Sequence, residues 1–177
     1  MVKYAYFAGG CFWCIYKVFN ENEKVISVRS GYSGGDEVNP TYEDVKNQLT
    51  GHRETIRIEY DDLNISYKEL LEIYMDNVDL YDDGGQYIDR GHSYTLALFY
   101  TNKDELNDIN EIMDRYKNEY GIYPYIEVLE FKSFFEASKE HQDYYLNHPE
   151  EFQEEIIKSG RNIACKWRKK KWQIITY

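Results

Sequence analysis

The hydrophobic pattern alternates between strand-like and helix-like segments along the chain. Residues 4–8 are largely apolar, and apolar and polar residues alternate over 55–60, where Ile56, Ile58 and Tyr60 share one side. Similar short runs occupy 25–29, 95–100 and 125–131. These five segments are predicted to be strands.

Four other segments repeat their apolar residues every three to four positions, as amphipathic helices do. They cover residues 11–20, 67–78, 104–120 and 135–146. Ser66 is suited to cap the second helix and Gly121 to end the third. Mixed strands and helices predict an α+β fold in which helices pack on a sheet.

Composition favours one enzyme-sized domain spanning residues 1–177. No Pro/Gly/Ser-rich linker or repeat divides it, and no signal peptide or apolar membrane-spanning run is evident. The net charge of −11 argues against nucleic acid, although a basic, tryptophan-containing tail begins at about residue 161. We expect a solvated tail, a cytoplasmic location and no membrane association.

The segment from Gly9 to Cys14 carries the most specific chemistry. Paired glycines after a predicted strand allow a sharp turn, and Cys11 then falls where a helix begins. Helix N-terminal N–H groups stabilise a thiolate, so a lowered pKa and a nucleophilic Cys11 are expected. The alternative is that Cys11 and Cys14 are merely small buried hydrophobic residues. A single C-x-x-C pair and scattered histidines predict no metal site, and no cofactor is expected.

The sequence Gly10-Cys11-Phe12-Trp13 resembles the active-site signature of the methionine sulfoxide reductase A family. Further segments match that family in order: Gly31-Tyr32-Ser33-Gly34-Gly35, Asn39-Pro40-Thr41-Tyr42, Thr50-Gly51-His52-Arg53-Glu54, Gly85-Gln86, Asp89-Arg90-Gly91 with Tyr94, and His141-Gln142. Several collinear motifs are far more specific than an isolated C-x-x-C pair.

The resemblance implies a two-layer sandwich of helices on a mixed β-sheet, with a ferredoxin-like core. It also implies thiol-dependent reduction of the S epimer of methionine sulfoxide, both free and in proteins. The nucleophilic cysteine would become a sulfenic acid, then a disulfide that thioredoxin reduces. We expect a monomeric enzyme.

The same resemblance implies roles for particular residues around Cys11. Tyr32 and Tyr94 match the two tyrosines that bind the sulfoxide oxygen, and Asp89 matches an aspartate that orders water and polar groups. Phe12 and Trp13 match the hydrophobic wall that receives the substrate methyl group. A sulfur–aromatic contact there is worth about 0.3–1.5 kcal/mol.

The proton donor is predicted less directly. Counting from Tyr32 assigns the family's catalytic glutamate position to Asp44, with Glu43 as the alternative. An aspartate shortens the reach by one methylene group, and a misplacement of about 1 Å can cost about 100-fold in rate. An acid held protonated by apolar surroundings would protonate the departing oxygen.

Two questions remain open from the sequence. The Cys11 sulfenic acid can be resolved by Cys14, one helical turn away, or by Cys165 in the carboxy-terminal segment, with Cys14 favoured. A weakened acid would also allow a non-catalytic module that binds methionine-like side chains without turnover. Consumption of a thiol pair by sulfoxide distinguishes the two functions.

Overall fold

The computed structural model describes residues 1–161. Its strands are β1 (Val2–Gly9), β2 (Val25–Ser33), β3 (Arg53–Asp61), β4 (Gly85–Gln86), β5 (Asp89–Arg90), β6 (Leu96–Tyr100), β7 (Ile126–Glu130) and β8 (Phe135–Glu136). Its helices are α1 (Phe12–Asn20), α2 (Tyr42–Lys46), α3 (Tyr67–Asn77), α4 (Lys103–Tyr120), α5 (Tyr144–Asn147) and α6 (Pro149–Lys158). Short 3-10 helices cover His92–Tyr94 and Lys139–His141.

Six strands form one mixed sheet in the order β7-β6-β1-β3-β2-β8. The β6–β7 pair is parallel and the other pairs are antiparallel. Strands β4 and β5 form a separate small hairpin. The predicted α+β class is confirmed.

The two faces of the sheet are covered differently. One face joins Phe7, Ile56 and Ile58 to buried residues of α1, α3 and α4 in the main core. The opposite face buries Tyr6 and Phe99 in a smaller cluster, covered by aromatic side chains of 131–134. Since β1 and β3 alternate sides, every second residue of each strand faces the helices.

Local signals set several boundaries as predicted. Ser66 caps α3 by accepting a hydrogen bond from the Glu69 N–H, and the Glu69 carboxylate accepts one from the Ser66 N–H. Gly121 ends α4 in the left-handed conformation, at φ 81°. The helix predicted at 11–20 begins at Phe12, with Cys11 as its cap residue.

The helix predicted at 135–146 is wrong. Phe135 instead pairs with Tyr32 at the sheet edge, and the Gln142 side chain bridges the backbone of Ser30 to the Ala137 carbonyl. Asp143 then adopts a left-handed conformation before the short helix α5. Pairing at the sheet edge and these long-range hydrogen bonds outweigh the helical periodicity of the segment. The longest helix in the carboxy-terminal part of residues 1–161 is α6, which the sequence did not predict.

Candidate active site

The turn between β1 and α1 presents Cys11. Gly10 has φ 81°, and a Cβ there would lie 2.6 Å from Cβ of Gln86, so only glycine fits the close approach of the β4–β5 hairpin. Cys11 is 6% exposed, and its carbonyl accepts hydrogen bonds from the N–H groups of Cys14 and Ile15. The predicted strand–turn–helix around the cysteine is confirmed.

Glu54 is the carboxyl group that faces this turn. It lies on β3 in step with Ile56, Ile58 and Tyr60, which directs its side chain toward the helix-covered face. Glu54 Oε2 accepts a hydrogen bond of 2.9 Å from the Phe12 N–H, and the residue is 2% exposed. Burial, and then the neighbouring Cys11, raise the pKa of Glu54 well above its usual range. The acid therefore keeps its proton to higher pH than an exposed glutamic acid does.

Three tyrosines surround Glu54. Tyr32 is its direct partner across the β2–β3 ladder, where opposed side chains lie close together on one face. Tyr94, in the 3-10 helix, acts on the Glu54 carboxyl and lowers its pKa. Tyr42 begins α2, and its ring stacks on the Phe12 ring at a centroid distance of 6.1 Å. Burial raises the pKa of all three phenols, with Glu54 as the next cause. They remain hydrogen-bond donors at neutral pH.

The ionisation of Cys11 differs from the expectation. A hydrogen bond with Cys14, then burial, raise the pKa of the Cys11 thiol well above its usual value. The Arg161 guanidinium acts in the opposite direction, and Asp89 adds to the rise. In the reduced protein these effects outweigh the stabilisation expected from the start of α1.

An aromatic wall extends from Cys11 to the surface. The Trp13 ring stacks on Tyr144 at 3.8 Å and lies 5.8 Å from His141, which is 4.2 Å from Tyr42. Phe12 is fully buried, whereas Trp13 is half-buried. Burial lowers the pKa of His141, which keeps it neutral.

An open cavity of about 630 Å³ adjoins this wall. Buried Tyr32 and His141, together with Tyr42, form one side of its lining, and exposed Glu43 and Glu140 form another. Its size and its aromatic lining suit a thioether-like side chain attached to a peptide.

The structure does not bring the predicted proton donor to Cys11. Asp44 closes a capping box at the start of α2: its carboxylate accepts hydrogen bonds from the Thr41 N–H and hydroxyl, at 3.3 and 2.6 Å. Glu43 is exposed and accepts a hydrogen bond from Asn47. Both carboxylates belong to the surface of α2, whereas the Glu54 carboxyl lies against the turn that presents Cys11.

Asp89 reaches the site through an arginine. Its carboxylate accepts a 2.8 Å hydrogen bond from Arg161 Nη2, and both charges act on Cys11. Arg161, expected to open a solvated tail, is 8% exposed. The predicted alternative resolving residue Cys165 and the remaining basic tail lie outside the described residues.

Sequence reasoning thus missed Glu54, Tyr42 and Arg161. The signal for Glu54 was present, because extending the alternation of Ile56 and Ile58 back by one step places a carboxyl on the core side of the strand. Tyr42 belongs to the family-like motif Asn39-Pro40-Thr41-Tyr42, but no role for it was predicted from the sequence. Nothing local distinguished Arg161 from the basic residues that follow it.

Two further properties of residues 1–161 bear on alternative functions. No helix in this part of the chain is long and apolar enough to span a membrane. Nor does this part contain a group of three or more His, Cys, Asp or Glu side chains arranged to hold a metal ion.

A pair of thiols, a buried acid with a raised pKa and an aromatic cavity are the features of a cysteine-dependent oxidoreductase. A family model, "Peptide methionine sulfoxide reductase", matches residues 3–173. The chain is 44% identical over 160 residues to the peptide methionine sulfoxide reductase MsrA of Bacillus licheniformis, covering 89% of this chain and 88% of that one. The Bacillus subtilis protein of the same name is 41% identical over 160 residues, covering 89% and 90%.

Solved structures agree on the architecture. Methionine sulfoxide reductase A of Corynebacterium diphtheriae superposes with a TM-score of 0.80 at 25% identity, covering 84% of this chain and 76% of that one. Reduced Mxr1 of Saccharomyces cerevisiae has a TM-score of 0.79 at 23% identity, covering 84% and 87%, and supports the fold alone. The chain belongs to the peptide methionine sulfoxide reductase family, and thiol-dependent reduction of methionine sulfoxide is the activity of that family.

Proposed function

We propose that this protein reduces the S epimer of methionine sulfoxide, free and in proteins, with Cys11 as nucleophile and Glu54 as proton donor. The observation that carries the proposal is the buried Glu54 carboxyl, hydrogen-bonded to the N–H of the residue after Cys11. A protonated acid and a neighbouring thiol are the pair of groups that sulfoxide reduction requires.

The first step transfers one oxygen atom. The Cys11 sulfur attacks the sulfoxide sulfur while Glu54 protonates its oxygen, and Tyr42 and Tyr94 donate hydrogen bonds to the developing charge. The oxygen then passes to Cys11, which leaves methionine and a Cys11 sulfenic acid. Tyr32 positions Glu54 from the neighbouring strand, and Asp89 acts through Arg161.

The substrate methyl group lies against Phe12 and Trp13 in this proposal. The stack of Trp13 on Tyr144 fixes the indole plane at 7° to the phenol ring. A rigid aromatic face favours a soft sulfur-bearing side chain.

Cys14 is the proposed resolving residue. Cys14 is the largest influence on the pKa of the Cys11 thiol, and the Cys14 N–H donates to the Cys11 carbonyl at 3.1 Å. The Cys14 thiol attacks the sulfenic sulfur, which forms the disulfide and releases water. Cys165 is the alternative for this step or for a second disulfide exchange. It follows Arg161 by four residues, a separation of at most about 14 Å along the chain, and Arg161 borders the two cysteines.

Thioredoxin is the proposed reductant. A solved structure of yeast Mxr1 is described as a complex with Trx2. Half-buried Cys14 is the more accessible sulfur of the pair, so an external dithiol would attack it and release Cys11. The balance per cycle is one sulfoxide and one dithiol converted to methionine, water and one disulfide.

The remaining proposals concern the whole molecule. We infer one catalytic domain over residues 1–177 that works as a cytoplasmic monomer without nucleic acid or membrane partners. We also infer a ferredoxin-like core, since β1-α1-β2-β3-α3-β6 gives the strand order β6-β1-β3-β2.

Single-turnover reaction with each epimer tests the function. The reduced protein should lose two thiols with the S epimer and none with the R epimer, and mass spectrometry should find a disulfide from Cys11 to Cys14. A link to Cys165 would reassign the resolving step. A Cys11→Ser variant controls for non-specific oxidation. If neither epimer consumes thiols while Cys11 still reacts with iodoacetamide, the reductase proposal fails and a methionine-binding module becomes the better account.

A further inference from the structure

Arg161 is a buried cation with a defined set of partners. Its Nη2 donates to Asp89 Oδ2 at 2.8 Å and to the Gln86 carbonyl at 3.3 Å, and its guanidinium lies 4.8 Å from the Tyr87 ring centroid. Only 8% of the residue is exposed. Burying an arginine is costly unless its charge is compensated or used.

This guanidinium lies beside the two cysteines. A Cβ built on Gly10, the residue before Cys11, would be 3.6 Å from Arg161 Nη2. Arg161 and Cys14 also line the same cavity, of about 220 Å³. The charge therefore borders the turn that presents Cys11 and the helix that carries Cys14.

One donor group of Arg161 is unused. Its Nη1 is buried without a hydrogen-bond partner in the part of the chain that the structure describes. A buried donor without a partner is unfavourable, because it has given up its hydrogen bonds to water. A negative charge forming on a neighbouring sulfur would offset that cost.

Among residues 1–161, the other groups whose interaction with Cys11 is resolved are neutral or acidic. They are Cys14 of α1, Tyr42 of α2, Glu54 of β3, Asp89 of β5, Tyr94 of the 3-10 helix and Tyr144 of α5. Neutral His141 packs on Phe12. Arg161 is the positive charge in this set.

We propose that Arg161, held by Asp89, is a positioning residue that sets the fraction of Cys11 present as the nucleophilic thiolate. It acts through the Cys11 sulfur and donates nothing to the substrate. The inference rests on the proposed nucleophilic role of Cys11, and it assigns Asp89 the task of orienting the arginine. It also gives the first residue of the basic segment a function distinct from that of the segment's other charges.

The test measures ionisation separately from turnover. In a Cys14→Ser/Cys165→Ser background, Cys11 is the sole thiol. The rate of its reaction with iodoacetamide is measured against pH, and the midpoint of that curve reports the ionisation of Cys11. Arg161→Gln should raise the midpoint by about one pH unit, because a nearby opposite charge shifts a pKa by about 1–3 units, and this leaves about tenfold less thiolate at neutral pH. Arg161→Lys should restore most of the shift.

A matched control removes an arginine from elsewhere. Arg115 forms a two-point ion pair with Glu72 on the surface of α4, so Arg115→Gln should leave the midpoint unchanged. Thermal unfolding of each variant separates loss of packing from loss of charge. A folded Arg161→Gln variant with an unchanged midpoint would overturn the inference, as would failure of Arg161→Lys to restore it.

If Arg161→Gln does not fold, the Asp89→Asn variant in the same background tests the role of Arg161. Without Asp89 the guanidinium loses the partner that orients it beside Cys11, so the midpoint should rise. An unchanged or lower midpoint, expected if Asp89 acts on Cys11 only through its own charge, contradicts the inference. The sulfoxide assay keeps the two proposals apart. If the wild type turns over sulfoxide but Arg161→Gln leaves the midpoint unchanged, only the role of Arg161 is rejected. If Arg161→Gln shifts the midpoint but the wild type does not turn over sulfoxide, only the reductase function is rejected.

Discussion

Replacing Glu54 by glutamine removes the proposed proton donor with little change in shape. The amide oxygen can still accept the hydrogen bond from the Phe12 N–H, and the residue stays within reach of Tyr94. Only the transferable proton is lost. The Glu54→Gln variant therefore isolates acid catalysis from the packing of the turn.

The expected loss follows from the general magnitude of acid catalysis. A positioned acid contributes about 10²–10⁴-fold, so the single-turnover rate of sulfoxide reduction should fall by that factor. This corresponds to about 3–5 kcal/mol in the activation free energy. Rapid quench with detection of methionine measures the rate before any reductant is involved.

The pH profile provides a second signature. Because the pKa of Glu54 is raised, the acid keeps its proton above the usual range of a glutamic acid and loses it as the pH rises through that raised value. The wild-type rate should fall on this alkaline limb. The glutamine variant should lack the limb, since its side chain does not titrate.

Stability should respond to pH in the matching direction. The unfolded chain releases the Glu54 proton near pH 4.3, about its usual pKa, whereas the folded protein keeps it to higher pH. Between those values the wild type loses up to about 1.4 kcal/mol of stability per pH unit from this group. The stability of Glu54→Gln relative to wild type should therefore increase from pH 5 upward in urea unfolding, with pH 5 chosen as about one unit above the unfolded pKa.

Asp44→Asn is the matched control, because it makes the same acid-to-amide replacement at the other candidate carboxyl. Asp44 is engaged in the capping box of α2, so this variant should lose at most about 0.3–1 kcal/mol of stability and keep its rate within about twofold. Equal damage from both substitutions would refute the assignment of the acid. So would a Glu54→Gln variant that reduces sulfoxide at the wild-type rate.

Three further outcomes are expected. Tyr42→Phe and Tyr94→Phe should each slow single-turnover reduction by about 10–100-fold, the value of about 1.5–3 kcal/mol for a hydrogen bond to developing charge, and unchanged rates would remove them from the site. Trp13→Ala should raise KM for a sulfoxide peptide by up to about tenfold through loss of the sulfur–aromatic contact, with iodoacetamide labelling of Cys11 confirming an intact nucleophile. Gly31→Ala should cost about 1–3 kcal/mol in urea unfolding, because its Cβ would collide with Phe134 and the Phe135 carbonyl, and wild-type stability would contradict the packing of β8 on β2.

Local sequence signals predicted much of the core fold. Alternation over 55–60 and the three- to four-residue apolar repeats of α1, α3 and α4 are imposed by backbone geometry, so they identified the elements directly. Ser66 and Gly121 acted through contacts within a few residues of themselves. The prediction for residues 135–146 failed because their conformation depends on hydrogen bonds to Ser30, more than one hundred residues away in sequence.

The sequence alone determined the cysteine turn, the aromatic residues beside it and the family to which they belong. The tertiary structure decided which acid faces Cys11, because strand pairing brings Glu54 opposite Tyr32 while capping holds Asp44 on the surface. It also decided how Cys11 ionises. The thiol pKa reflects Cys14, burial and Arg161 together, and that balance exists only once Arg161 has been packed beside α1.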